Sequence, residues 1–218
     1  LTQVEYRYRA EFLNQLLHNH HLPEEDFVER GKLFGWDLTQ PYVALLIKVA
    51  PRGGAKATRH LSGEKVRQGI KDQAITLVDH FCHSQNLEHL LVGNENGVLL
   101  FLRSSPDQGE EWLKGTIRRL RSRLPQWEVT IGVGGPNQGV AGLKESYQEA
   151  KIALQIGEEI YGSGSDIWYS QLGVYSLMLR RASLQEQKAF AESLLQPLLM
   201  HDRARKSDAL LKTLQTYL

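Results

Sequence analysis

Asp79, His80, Cys82 and His83 bring four potential metal ligands together in a single stretch of the chain. Asp79 and His83 are four residues apart, so a helix places both on the same face, and a carboxylate beside an imidazole suits Zn²⁺. The sequence offers no second cluster with ligand spacing. We therefore predict a solvated helix face with Cys82 buried as a small apolar side chain, and we expect no metal or other cofactor.

A loop rich in glycine and basic residues follows the first long apolar run, and it carries Arg52, Lys56 and Arg59. Three positive charges beside a strand end could bind a small anion, so these residues form a candidate anion-binding loop. A second glycine-rich segment, Gly132 to Pro136, lacks the spacing of nucleotide-binding loops, and proline has no backbone donor. We interpret that segment as a strand end that turns into a loop.

Basic side chains also follow one another along a predicted helix, and nucleic acid could bind such a surface. They are Lys114, Arg118, Arg119, Arg121 and Arg123. Glu110 and Glu111 belong to the same helix, and Trp112 is its only aromatic residue. We therefore predict a solvated outer helix face, with an interdomain or dimer contact as the alternative.

The composition of the chain excludes several classes of protein. Its 26 basic and 25 acidic residues leave a net charge of +1, which gives no overall attraction to nucleic acid or to an anionic membrane. A single cysteine excludes an internal disulfide and suits a reducing compartment. No stretch approaches the roughly 20 apolar residues of a membrane span, and the polar start is unlike a signal peptide. We expect a cytoplasmic protein without membrane contact.

Apolar periodicity predicts two N-terminal helices, one over residues 5–20 and one from Pro23 to about Phe34, with Gly35 ending the second. The period then changes, because the continuous apolar run Tyr42–Val49 is typical of a buried strand. A further helix follows the basic loop. Its predicted apolar face consists of Val66, Ile70, Ala74, Leu77 and Phe81.

A predicted β-hairpin comes next, because two short apolar runs, His89–Val92 and Val98–Leu102, flank a group of turn-forming residues. The turn residues are Gly93, Asn94, Glu95, Asn96 and Gly97. The remaining predicted elements are a helix over about 108–124, a strand Glu128–Val133, a helix ending at Gly157 and an edge strand Ile167–Tyr169. The order β-α-β-β-α-β-α-β predicts a split βαβ sheet, and only helical patterns follow Leu172.

Several segments resemble one family of bacterial regulators. Val129–Gly134, Gly142–Ala150 and the pair Ala153 and Leu154 are similar to the GGDEF-like domain of CdaR/PucR-type regulators of sugar-diacid and purine catabolism. The resemblance implies an α/β (α+β) fold, with a ferredoxin-like, nucleotide-cyclase-like sheet and additional helical segments at both ends.

The terminal segments resemble the same family, so the likeness extends over nearly the whole chain. Phe12–Leu17 and Gly35–Leu38 fit the part before the first strand. Leu195–Leu199, His201 with Asp202, and Leu210–Leu218 resemble the lead-in to a C-terminal helix-turn-helix domain.

The resemblance implies a helical linker over residues 1–39, a degenerate GGDEF-like domain over 40–172 and a helical segment over 173–218. A sensor domain for a small-molecule effector would precede Leu1, and the DNA-binding domain would follow Leu218. Since the chain opens with leucine, we expect a fragment of a longer protein. We also expect a homodimer, because regulators that bind palindromic sites share their two-fold symmetry.

Diguanylate cyclases resemble this domain in strand and helix order, and they need carboxylates at the end of the first strand and in the hairpin turn. Those carboxylates bind the divalent cations that neutralise the triphosphate. Here the first strand ends Ile47–Ala50, and no acidic residue lies between Leu38 and Gly63. In the turn only Glu95 is acidic, and Asn96 stands where the second acid would be. We therefore predict a structural turn in a non-enzymatic regulatory domain. The alternative is a degenerate domain that still binds a nucleotide or another small anion.

Overall fold

The computed structural model describes residues 3–18, 22–52, 64–95, 97–105 and 107–173, together with Gln196 and His201. The chain divides into two compact units, residues 1–173 and 174–218. All described helices and strands of more than one residue belong to the first unit. The predicted C-terminal helices fall outside the described residues, and the predicted boundaries at residues 39 and 172 stay predictions.

Two helices precede the sheet, α1 (Gln3–His18) and α2 (Glu24–Leu33). Acidic side chains fill the first turn of α2, where they face the positive end of the helix dipole. After α2 the chain turns at Gly35, whose φ of +76° lies in the left-handed region that favours glycine. Both predicted helices are confirmed within a few residues at each end.

Six strands form one sheet in the order β2-β3-β1-β4-β6, and a short β5 pairs with the start of β1. The strands are β1 (Pro41–Pro51), β2 (His89–Asn94), β3 (Gly97–Arg103), β4 (Trp127–Val133), β5 (Asn137–Gln138) and β6 (Asp166–Trp168). Among the strands that the structure describes, only β4 and β6 run parallel. The central strand β1 is buried on both sides, as its continuous apolar run predicts.

Helices cover both faces of the sheet. Between the strands lie α3 (Glu64–Ser84), α4 (Glu110–Ser122) and α5 (Gly139–Tyr161). Alternate residues of β1 divide the core: Leu45 and Ile47 pack with α3 and α4, whereas Ala44 and Leu46 pack with α1, α2 and α5. The predicted α+β fold is confirmed as a six-stranded sheet with helices on both faces.

Helix α1 buries a stripe of leucine side chains in the same core cluster as side chains of α2 and α5. These leucines are Leu13, Leu16 and Leu17. The apolar stripe of α1 therefore packs on the α/β core. A second apolar stripe in the sequence, Leu210, Leu211 and Leu214, lies outside the described residues.

Three local predictions are wrong. Gly157 does not end its helix, since α5 continues to Tyr161. Glycine is needed there for another reason, because a Cβ atom at residue 157 would lie only 2.4 Å from the Ile167 side chain. Val66 is exposed rather than buried, since it lies in the first turn of α3, before the part of that helix that packs on the sheet. The hairpin strands are also longer than predicted and reach Asn94 and Gly97.

Candidate functional site

The hairpin at the position of a cyclase active site is a tight turn packed against β1. Asn94 pairs with Gly97, and Glu95 lies in the turn between them, whereas Asn96 lies outside the described residues. Gly97 has a φ of +138°, and a Cβ atom there would lie 2.2 Å from the carbonyl oxygen of Ile47. The turn therefore needs glycine at this position to lie directly against the end of β1.

Lys48 is the β1 residue next to this turn, and its Cα atom lies 3.3 Å from where that Cβ would be. Its Nζ atom lies 2.6 Å from the Glu158 carboxylate of α5. An ammonium group thus lies at the strand end where cyclase chemistry needs metal-binding carboxylates. An ammonium group cannot coordinate a divalent cation, and the ion pair engages the Glu158 carboxylate that could.

Tyrosines from two helices hold the hairpin from the side of α1 and α5. The backbone N–H of Gly93 donates to the Tyr6 hydroxyl at 2.8 Å, and the Asn94 amide donates to the Tyr147 hydroxyl at 3.4 Å. Burial raises the pKa of both tyrosines, so both remain neutral phenols. Sequence analysis missed these contacts, because Tyr6 lies in a different predicted segment from the turn that it contacts.

The glycine-rich segment after β4 uses its backbone groups inside the protein. Gly134 N–H donates to the Ala44 carbonyl at 2.9 Å, and Gly135 N–H donates to the Glu149 carboxylate at 2.7 Å. The Glu149 carboxylate thus accepts a hydrogen bond from a backbone N–H that a phosphate-binding loop would donate to its ligand. The predicted strand end that turns into a loop is confirmed.

The candidate anion-binding loop is described only at its first residue. Arg52 is exposed, and its Nε–H donates to the backbone carbonyl of Trp127 at 3.3 Å. Lys56 and Arg59 lie outside the described residues, so an anion site at this loop stays a prediction.

Two of the basic side chains of α4 form ion pairs within the chain. Lys114 lies 2.8 Å from Glu110 and 3.1 Å from Glu111, and Arg121 binds both Asp166 and the carbonyl oxygen of Gly164. These contacts fit the predicted solvated helix face and leave less free positive charge for nucleic acid.

The structure divides the four potential metal ligands of this stretch, for which sequence analysis predicted no metal. Asp79 and His83 lie together on α3, whereas His80 is exposed away from them and Cys82 is buried in the core, as predicted. Burial raises the pKa of the Cys82 thiol to about 12, so this side chain is a neutral thiol rather than a metal-binding thiolate. Sequence analysis missed His89, the first residue of β2, which joins Asp79 and His83.

These three side chains line a cavity of about 800 Å³ beside the edge strand β2. α1 contributes Tyr6 and Arg9 to its wall, and the chain after α2 contributes Phe34 and Trp36. The rest of the lining is largely polar or charged and includes Gln68, Asp72 and Glu88, so the cavity combines aromatic surface with many hydrogen-bonding groups.

Comparison with known proteins places this fold in a family. The model of the GGDEF-like domain matches residues 18–156, which is more than half of the chain. No curated protein sequence matches this chain. The fold is similar to a regulator of polyketide synthase expression from Bifidobacterium adolescentis, with a TM-score of 0.54, 13% identity and coverage of 80% of this chain. This chain spans only 63% of that protein.

A second solved structure is the GGDEF domain of YfiN (TpbB) from Pseudomonas aeruginosa, with a TM-score of 0.47 and 12% identity. That match covers 73% of this chain and 94% of the other. None of the described helices is long and apolar enough to cross a membrane. The family match contains the hairpin, the contact of Asn94 with Tyr147 of α5 and every described strand except β6, and the chain therefore belongs to the GGDEF-like domain family.

Proposed function

We propose that the chain is a catalytically inactive regulatory and oligomerisation module of a cytoplasmic, DNA-binding transcription regulator of the CdaR/PucR type. The observation that carries this proposal is the ion pair of Lys48 with Glu158 beside the hairpin. A cyclase needs carboxylates there to hold divalent cations, and this chain has an ammonium group on the strand and a single acid, Glu95, in the turn. One carboxylate cannot hold two metal ions and activate a hydroxyl group.

The fold similarity to a regulator of polyketide synthase expression supports a regulatory role. The contact between Tyr6 and Gly93 gives a physical route for a signal, because α1 precedes the domain and binds the hairpin directly. A sensor domain before residue 1 would move α1, and DNA would be bound by a helix-turn-helix after residue 218. Two copies of the chain would match a palindromic operator.

A thermal-shift screen with nucleotides and organic acids, each with and without Mg²⁺, separates this proposal from the alternative of a nucleotide-binding domain. A ligand that binds only the folded chain stabilises it by about 2.7 kcal/mol when its concentration is 100 times Kd. We expect GTP with Mg²⁺ to leave the unfolding temperature unchanged.

The matched variants are Arg52→Ala, in the candidate anion-binding loop, and Arg123→Ala, an exposed arginine elsewhere. Stabilisation by GTP that disappears in Arg52→Ala and persists in Arg123→Ala would favour the nucleotide-binding alternative over a purely regulatory module.

A further inference from the structure

We propose that Asp79, His83 and His89 form a binding site for a divalent transition-metal ion, with Zn²⁺ as the best match. The three residues come from two elements, the end of α3 and the start of β2. Each offers one ligand atom, and these atoms all lie within 4.8 Å of one another. The two imidazole rings stand edge to face, with centroids 5.1 Å apart.

The hydrogen bonds of His89 support a cation at this place. Its Nδ1 atom lies 2.9 Å from the carbonyl oxygen of Leu87, which can only accept, so Nδ1 carries a hydrogen. Its Nε2 atom lies 3.1 Å from Oδ1 of Asp79, and a carboxylate also only accepts. Nε2 and Oδ1 thus face each other as two adjacent potential ligand atoms.

A backbone carbonyl that accepts from one imidazole nitrogen is the usual support for a histidine whose other nitrogen binds zinc. It fixes the ring orientation before the metal arrives. The His89 side chain is only 11% exposed, so packing also holds the ring in place. Two of the three ligand atoms are thus already adjacent.

His83 must move to complete the site. Its Nδ1 atom lies 2.8 Å from the backbone oxygen of Asp79 and 3.5 Å from Oδ1. Zinc bonds of about 2.0 Å in a tetrahedral site place ligand atoms roughly 3.3 Å apart, so the set has to contract by an ångström or so. The His83 side chain is 64% exposed and can rotate with little hindrance.

Two imidazoles and one carboxylate favour zinc and its neighbours over magnesium or calcium, which prefer oxygen ligands. Three protein ligands leave a fourth coordination position, and the site lies on the wall of the 800 Å³ cavity. A bound ion would link the end of α3 to the edge strand of the sheet. It would also offer the cavity an electrophilic centre for water or another electron-pair donor.

The test is a titration of the whole 218-residue chain with Zn²⁺ in competition with a chromophoric chelator. We expect a single tight ion per chain, and we expect His89→Gln and Asp79→Asn each to weaken it by at least about tenfold. His80→Gln is the matched control, because His80 is exposed on the same helix outside the cluster, and it should bind like the unmodified chain. Co²⁺ should show the strong visible absorption of a four-coordinate ion.

His83→Gln removes a largely exposed ligand, so it tests the site even where a substitution at the buried His89 unfolds the chain, which circular dichroism will report. The proposal is overturned by the absence of a tight Zn²⁺ ion in the folded chain. Equal affinity in the unmodified chain and in folded His83→Gln would also overturn it, because the ion would then be bound elsewhere.

Discussion

Ser146 of α5 is a buried polar side chain that joins the helix to two segments of the sheet. Its hydroxyl oxygen accepts from the backbone N–H of Ala44 at 2.8 Å, and its hydrogen is donated to the carbonyl of Gly135 at 2.7 Å. Ala44 lies between the part of β1 that pairs with β5 and the part that pairs with β4. Its backbone N–H therefore has no hydrogen-bond acceptor in either of these described strands. Ser146→Ala leaves the buried N–H of Ala44 without its partner, and it removes the donor to the part-buried carbonyl of Gly135. An unsatisfied buried group costs about 1–3 kcal/mol, and water can satisfy the part-buried carbonyl, so we expect a total loss of about 1–3 kcal/mol.

The assay is urea unfolding followed by circular dichroism, with stability extrapolated to water. The dependence on urea should be unchanged, because the substitution alters stability and not the surface exposed on unfolding. The matched control is Ser122→Ala, whose exposed hydroxyl donates to the Arg119 carbonyl at 2.7 Å and where we expect a change within about 0.5 kcal/mol. A loss below about 1 kcal/mol for Ser146→Ala, with the control unchanged, would refute this account of how α5 is fixed to the sheet.

Three other predictions concern the turn, the thiol and self-association. Gly97→Ala should destabilise the chain by more than about 2 kcal/mol in urea unfolding, because a Cβ there meets the Ile47 carbonyl, whereas Gly115→Ala, with open space in α4, should be neutral or stabilising. Cys82 should not react with a thiol reagent at pH 8 unless the chain unfolds. Its raised pKa adds to the free energy of unfolding, and this contribution is fully present below about pH 8.5, the thiol pKa in the unfolded chain. The contribution is lost as pH rises toward 12, so urea titrations at higher pH should show a less stable chain. Light scattering at micromolar concentration should show a dimer, and a monomer at all concentrations would place self-association outside this chain.

Local sequence patterns predicted most of the fold because each strand and helix has its own periodicity. The apolar run of β1 and the turn residues between β2 and β3 are local signals, and both elements form as predicted. The short β5 has no such signal, since two polar residues pair with β1 only through the geometry of the loop after β4. Gly157 shows the same limit, because the glycine that seemed to end α5 is there to admit Ile167.

The candidate sites depended more on tertiary contacts than the fold did. Asp79 and His83 share a helix face that the sequence reveals, but His89 joins them only because β2 lies beside α3. Tyr6 likewise reaches Gly93 across the fold. The sequence could predict the charge beside the hairpin. Lys48 belongs to β1, so it keeps its place in the sheet whatever the arrangement of the neighbouring loops.

The most direct test of the central claim is incubation of the chain with GTP and Mg²⁺ or Mn²⁺, followed by chromatography of the nucleotides. Lys48 beside the hairpin and the single acid in the turn predict no cyclic dinucleotide above a protein-free blank. The control is an active diguanylate cyclase under the same conditions. Steady formation of product by this chain, abolished by Glu95→Ala, would contradict the claim that its cyclase chemistry has been lost.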